Sequence, residues 1–427
     1  MFVRELTSDD RPAYRRLTSQ AFGGGSAEEL PGPFPEGEIP LGVDSSALPG
    51  GQEGVLAAGA RIRRDTIALG GGTTACGGVG GLAVHPAHRG GGLFGELLGA
   101  VLGRCSAEGM SFSMLYPSNP AIYRRHGYQV VARTERIIVP LGELQRLRSV
   151  PGLRLVPVTE ATMPRLHRLY AELTAGDNAM LRREPPLFPA GLPAPPWGAV
   201  LLQDAAGVDR GYLSFSRIDP GPDTAGLEVH EILGREREDR LALLQHLGSW
   251  STVTTSARIR LRAEDPILDV LPGGGLRTTS DIVPLVMMRL VDTARALADR
   301  PAPPELSGGV RLEVKDGTPS AGACRAAGCW DVRAQDGVVR VEEAETAEQD
   351  EHGVQTETAG PDGRAGERRA PSGWARLDVH AAALLLTGGR SLADARRAGL
   401  LADADAAGEA FLDTLLRGPR PSVLDAF

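Results

Sequence analysis

The stretch "LAVHPAHRGGGLFGELLGAVLGRC", Leu82–Cys105, limits the fold more than any other part of this chain. A short apolar run is followed by a turn with three consecutive glycines. Leu93, Phe94, Leu97, Leu98, Val101 and Leu102 then recur at the spacing of one helix face. Strand, glycine turn and amphipathic helix in that order predict an α/β unit. The turn also has a chemical meaning. Glycines admit close approach and left-handed backbone, and the first helical N–H groups have no internal acceptor, so an anion such as phosphate fits there.

Three phosphate readings compete. Gly90, Gly92 and Gly95 match G-x-G-x-x-G, but a dinucleotide site needs an acid about 20 residues on at a strand end. The next strand ends near Tyr116 with no acid at its tip. A Walker loop needs Lys-Ser/Thr after the glycines, and none is present there. The third reading takes Arg89, three residues before Gly92, as a cationic partner for a pyrophosphate on the turn. Leu82, Ala83 and Val84 would then offer strand backbone to an extended, amide-bearing arm. Pyrophosphate plus such an arm describes coenzyme A. On this reading the coenzyme contacts are Leu82, Ala83, Val84, Arg89, Gly90, Gly91, Gly92 and Leu93, joined by Ser118 and Asn119 ahead of the next short helix. A turn that merely packs is the bland alternative.

At 427 residues the chain has room for two or three domains. Aromatic residues are only 4%, so aliphatic side chains must fill the cores. Arginine replaces lysine almost throughout, with Lys315 the sole lysine, and the net charge is −8, which disfavours nucleic acid as a partner. No run approaches the ~20 apolar residues of a membrane span. Acids stand where "MFVRELTSDD" would need a hydrophobic leader. Four cysteines make no disulfide framework. A soluble, cytoplasmic protein is expected, with neither membrane nor nucleic-acid partner.

Three units are predicted. Residues 1–148 run strand, helix, a Gly/Pro-rich loop from Gly23 to Gly42, strands, the glycine turn, and strands ending in "ERIIVPL". Residues 149–291 repeat a similar order without a glycine turn and end in "IVPLVMMRLV". Residues 292–427 open on the helix "TARALADR" and hold a charged, apolar-poor insertion near 342–372, expected to be exposed and mobile. Cys324 and Cys329 lack metal-ligand spacing, and no metal is expected. His85 and His88 are read as shaping the turn, and His230 with Glu231 as a half-buried polar pair.

"AIYRRHGY" places Tyr123 on a short helix with Gly127 and Tyr128 after it. With the R-x-x-G turn this resembles the GNAT acyl-CoA-dependent N-acetyltransferases. "VHPAHRGGGLF", "AIYRRHGY", "NAMLRRE", "VMMRLVD", "LTGGRSLADARRAG" and the terminal phenylalanine together are similar to the enhanced intracellular survival (Eis) family of bacterial acetyltransferases. The resemblance implies an α/β (α+β) fold of two tandem GNAT-type domains followed by a sterol carrier protein-like domain. It implies acetyl-CoA as co-substrate, a polycationic amine such as an aminoglycoside as acceptor, and a homo-oligomer, possibly a hexamer.

The same resemblance implies roles. Tyr123 would protonate the departing thiolate, and the terminal carboxylate of Phe427 would act as base. Strand geometry suggests the Leu82 N–H for the oxyanion. Gly90 stands where many relatives carry another arginine, and Tyr116 where a smaller or imidazole side chain is expected near the acceptor. Glu28, Glu29, Glu36 and Asp44 are acids that would attract a cationic acceptor. An acetyltransferase for a lysine side chain or a biosynthetic amine, and a non-catalytic lipid- or partner-binding protein, are the alternatives.

Overall fold

The computed structural model describes residues 3–23, 32–188, 191–218, 226–273, 275–279, 282–345 and 371–425. The chain divides into two compact units, one taking in 1–131 and 287–418, the other 132–286 and 419–426.

The first unit contains a seven-stranded sheet. In spatial order its strands are Arg4–Glu5, Glu38–Asp44, Leu56–Leu69, Gly72–Val84, Phe112–Leu115, Leu285–Leu290 and Gln129–Arg133. The pairings of Arg4–Glu5 with Glu38–Asp44, of Glu38–Asp44 with Leu56–Leu69, of Leu56–Leu69 with Gly72–Val84 and of Phe112–Leu115 with Leu285–Leu290 are antiparallel, whereas Gly72–Val84 and Phe112–Leu115 are parallel and joined by helix Leu93–Ala107. That helix buries Leu93, Leu97, Leu98, Val101, Leu102 and Cys105, the stripe predicted from its spacing. At about 1.5–3 kcal/mol for each large aliphatic side chain removed from water, this face is enough to fix the helix on the sheet.

Two expectations change here. The Gly/Pro-rich loop ends sooner than read. Ile39, Leu41 and Val43 are buried in strand Glu38–Asp44, because that strand lies inside the sheet with pairing on both edges. The two late apolar strands also trade sheets. Leu285–Leu290 pairs with Phe112–Leu115 in the first unit, with Met287 opposite Leu115. Glu135–Pro140 pairs with Ser256–Leu261 in the second.

A five-stranded sheet completes the first unit: Val338–Glu343, Gly328–Gln335, Gly308–Lys315, Gly373–Asp378 and Ala402–Ala404. Helices Val379–Leu386, Leu392–Arg397 and Ala406–Leu415 accompany it, and the first of these is buried on almost every side. Of the predicted insertion, 346–370 lies outside the described residues.

The second unit is one sheet ordered Arg277–Thr278, Glu135–Pro140, Ser256–Leu261, Leu227–Gly234, Asp209–Arg217, Trp197–Gln203 and Arg154–Pro157. Its parallel pair, Leu227–Gly234 with Ser256–Leu261, is again bridged by a helix, Arg237–Gly248. Sheet order and crossover therefore repeat the plan of the first sheet. His230 and Glu231 do not pair with each other: His230 Nε2 meets Ser216 Oγ at 2.8 Å, while Glu231 is held by Arg183 and Tyr212. Among the described residues no helix is long and apolar enough to cross a membrane.

Candidate active site

Strands Gly72–Val84 and Phe112–Leu115 pair at three positions, Cys76–Phe112, Gly77–Ser113 and Gly78–Met114. Past Gly78 the longer strand runs on alone on that side. Its other edge is irregular there too. Gly80 faces Arg61 and Ala83 faces Gly59, so Gly81 and Leu82 share the single opposite residue Ala60. This is a β-bulge, which takes a backbone group out of the ladder. Gly81 has φ +58°, and its carbonyl accepts a hydrogen bond from the Tyr14 hydroxyl at 3.1 Å. A Cβ at Gly81 would lie 2.1 Å from the Tyr14 hydroxyl oxygen, so any larger residue must displace the tyrosine.

Where the strands part, a cleft of about 450 Å³ opens. Leu82, Ala83 and Val84 line one side, and Ser118, Ile122 and Tyr123 another. His88, Arg89, Gly90, Gly92, Leu93 and Phe94 form the end at the glycine turn, and Ala21 and Phe22 come from helix Arg11–Phe22. Gly90 and Gly92 have φ of +86° and +82°, a conformation that costs a side-chain-bearing residue about 1–2 kcal/mol. No side chain caps the helix at Gly92. The turn is shaped by its histidines: His85 Nδ1 accepts from Ala87 N, and His88 Nε2 meets Ser45 Oγ at 2.8 Å. The exposed Arg89 donates from Nε to the Val84 carbonyl at 3.2 Å.

Tyr123 sits on helix Pro120–Arg124, started by Pro120 and capped by the Asn119 side chain, which accepts from Ala121 N at 3.0 Å. Only 5% of Tyr123 is exposed. Phe94 and Tyr128 meet its ring edge-on at centroid distances of 5.6 and 6.0 Å. Burial raises the Tyr123 pKa above its ordinary value, and a hydrogen bond with Ser118 partly opposes the rise. The neutral phenol is therefore the resting form.

Residues that sequence reading did not single out fix this helix. Arg289, fully buried, donates to the His126 carbonyl at 2.8 Å and the Leu290 carbonyl at 2.7 Å, and pairs with the equally buried Asp316. His126 Nδ1 meets Ser320 Oγ at 2.7 Å, and His380 Nε2 meets the Arg124 carbonyl at 2.8 Å. The available signal was an arginine inside the apolar run "LVMMRLV".

Other singled-out residues lie apart from the cleft lining. Gly91 is in the turn but does not line the cleft, and neither does the half-buried Tyr116 just past strand Phe112–Leu115. Glu36 is exposed ahead of strand Glu38–Asp44, and Asp44 pairs with Arg4. Glu28, Glu29 and Phe427 lie outside the described residues. No cluster of three or more His, Cys, Asp or Glu side chains that could hold a metal ion is found among the described residues.

The bulge, the open parallel pair and the uncapped glycine turn fit an extended thioester ligand ending in a pyrophosphate. Residues 2–131 match the acetyltransferase (GNAT) domain family. A GCN5-related N-acetyltransferase from Kribbella flavida shares the fold at 21% identity and TM-score 0.76, over 100% of this chain and 98% of its own. One from Anabaena variabilis does so at 17% and 0.78, over the whole of both chains. Eis1 from Mycobacterium abscessus, at 20% and 0.67, is likewise matched over the whole of both. No curated protein matches the sequence. Residues 2–131 carry a GNAT acetyltransferase domain, and GNAT domains use acetyl-CoA.

Proposed function

We propose that the chain transfers the acetyl group of acetyl-CoA to an amine of a polycationic small molecule such as an aminoglycoside. One observation carries the reading: bulge, glycine turn and buried phenol line a single cleft. Leu82, Ala83 and Val84 bind the pantetheine arm, Arg89, Gly90, Gly91, Gly92 and Leu93 the pyrophosphate, with Ser118 and Asn119 beside them. The amine nitrogen bonds to the thioester carbon while the Leu82 N–H holds the oxyanion. As the carbon–sulfur bond breaks, Tyr123 gives its proton to the sulfur.

The amine proton goes to the terminal carboxylate of Phe427. This role rests on the Eis resemblance, as do Glu28, Glu29, Glu36 and Tyr116 as acceptor contacts. The five-stranded sheet with its buried helix Val379–Leu386 supports a sterol carrier protein-like reading of the third segment. We further assign the chain to the cytoplasm, where acetyl-CoA is available, as a homo-oligomer.

Thiol release from acetyl-CoA, with and without aminoglycosides, simple polyamines and lysine peptides, tests the assignment. Release stimulated by the aminoglycosides is expected. Stimulation by peptides alone replaces the acceptor class, and failure to bind acetyl-CoA overturns the reading.

A further inference from the structure

The second sheet, like the first, carries a bulge just beyond its parallel pairs. Its parallel strands pair at Leu227–Ala257, Glu228–Arg258 and Val229–Ile259, and then stop. At the next residue the other edge slips: Phe215 faces Val229 and Ser214 faces Glu231, so His230 is bulged out. In the first sheet a bulge after three parallel pairs borders the ligand cleft. In the second, a cavity of about 610 Å³ lies there, with His230, Glu231 and Arg260 in its wall, and the chain's own Leu424 and Asp425 enter that wall as well.

Residues 419–425 are tied down by hydrogen bonds to the second unit. Asn178 Nδ2 donates to the Pro419 carbonyl at 2.7 Å, and Ser422 N to the Asn178 carbonyl at 2.9 Å. Ala263 N donates to Ser422 Oγ at 2.8 Å, and Arg260 Nη1 to the Leu424 carbonyl at 2.5 Å. Val423 and Leu424 are buried. Asp425 receives Arg183 at 2.9 Å and the Tyr170 hydroxyl at 3.3 Å. Arg183 also pairs with Glu231, which accepts the Tyr212 hydroxyl at 2.5 Å, and its guanidinium lies 3.9 Å over the Tyr170 ring. One cation thus joins a carboxylate of the sheet bulge to a carboxylate of the tail.

We propose that the bulged cleft of the second unit is a clamp for the chain's own C-terminal segment, with Arg183 as its positioning residue. The cleft assigned to a ligand in the first sheet is used in the second to seat Leu424 and Asp425, the end of the bound segment 419–425. Arg183 is the coupling element because it pairs with both Glu231 and Asp425, and its loss sets two buried carboxylates against each other. The clamp has a catalytic consequence that rests on the proposed role of the terminal carboxylate. Loosening the tail at Asp425 then lowers kcat and leaves the KM for acetyl-CoA unchanged.

The test uses full-length protein with an untagged end: parent, Arg183→Met, Arg183→Lys, Tyr170→Phe and a Phe427 deletion. Hydrogen exchange over 419–425 and steady-state thiol release are read on each. Arg183→Met is expected to speed exchange over 419–425 at least tenfold while helix Leu93–Ala107 keeps its protection. Its kcat should fall towards that of the Phe427 deletion with the KM for acetyl-CoA unchanged, and Arg183→Lys should recover part of both losses. If Arg183→Met loses protection everywhere, Tyr170→Phe decides, because it removes only one hydroxyl from the clamp; a two- to fivefold faster tail supports the proposal, and an unchanged tail overturns it. An unchanged tail in a folded Arg183→Met also overturns it. A loosened tail with kcat unchanged in both Arg183→Met and the deletion supports the clamp and removes the carboxylate role. A loosened tail with kcat lost only in the deletion refutes positioning by Arg183.

Discussion

Replacing Arg289 by Met tests whether the helix that carries Tyr123 is set by a buried charge. Arg289 and Asp316 side chains are both 0% exposed, and Arg289 also serves the carbonyls of His126 and Leu290. Met has similar length and no charge. The substitution leaves Asp316 buried, with Thr318 N donating to it at 3.0 Å but no cation against it among the described residues. Breaking a buried pair on one side costs about 3–5 kcal/mol, because the surviving charge is uncompensated. For a unit of this size, about 2–4 °C of midpoint is lost per kcal/mol, so melting should fall by roughly 6–20 °C. Adding Asp316→Leu removes the stranded charge and should return most of that loss, since apolar replacement of a whole buried pair is often neutral. Thermal melting of parent, both single variants and the double variant closes the cycle. A loss below about 1 kcal/mol in Arg289→Met, or a double variant no more stable than it, would refute the assignment of the clamp on His126 to this ion pair.

Three further outcomes are expected. Tyr123→Phe should lower kcat by about 10²–10⁴ with little change in acetyl-CoA KM, the range for loss of a general acid. The raised phenol pKa means that the donor keeps its proton beyond the ordinary tyrosine value of about 10. The alkaline limb of kcat should therefore lie above that value, and a Tyr123-dependent limb near pH 8 would contradict the assignment. Its stabilising effect has the same sign: full below the unfolded pKa of about 10, lost as pH rises through the raised folded value. Gly81→Ala puts a methyl group 2.1 Å from the Tyr14 hydroxyl at positive φ, so a loss of about 2–4 kcal/mol is expected, and adding Tyr14→Phe should relieve part of it in a denaturant titration. Arg89→Gln should raise acetyl-CoA KM several-fold and leave kcat nearly intact, as read by initial rates at varied acetyl-CoA.

Local chemistry was legible wherever one segment sufficed. The helix face of Leu93–Ala107, the Pro120 start and the positive φ of Gly92 and Gly127 all obey short-range rules. The bulge had a weaker trace, the glycine pair inside "GGVGGLAV". Pairing partners were not legible. "ERIIVPL" and "LVMMRLV" both read as strands, but period alone carries no information about which distant edge each one joins. The same holds for the charges that fix the site. Arg289 meets His126 across 163 residues, and Arg183 meets Asp425 across 242, so only the folded chain brings them together.

The traded strands also set a schedule for synthesis. A domain at the start of a chain ordinarily folds as it leaves the ribosome, ahead of the segments made after it. Here Phe112–Leu115 must wait for Leu285–Leu290 before its edge is covered and the sheet around Tyr123 is whole. After residue 133 that wait spans about 150 residues, or roughly 8–30 s of translation at about 5–20 residues per second. Throughout that interval the nascent first sheet presents one open edge of Phe112–Leu115, and open β-edges invite pairing with other chains.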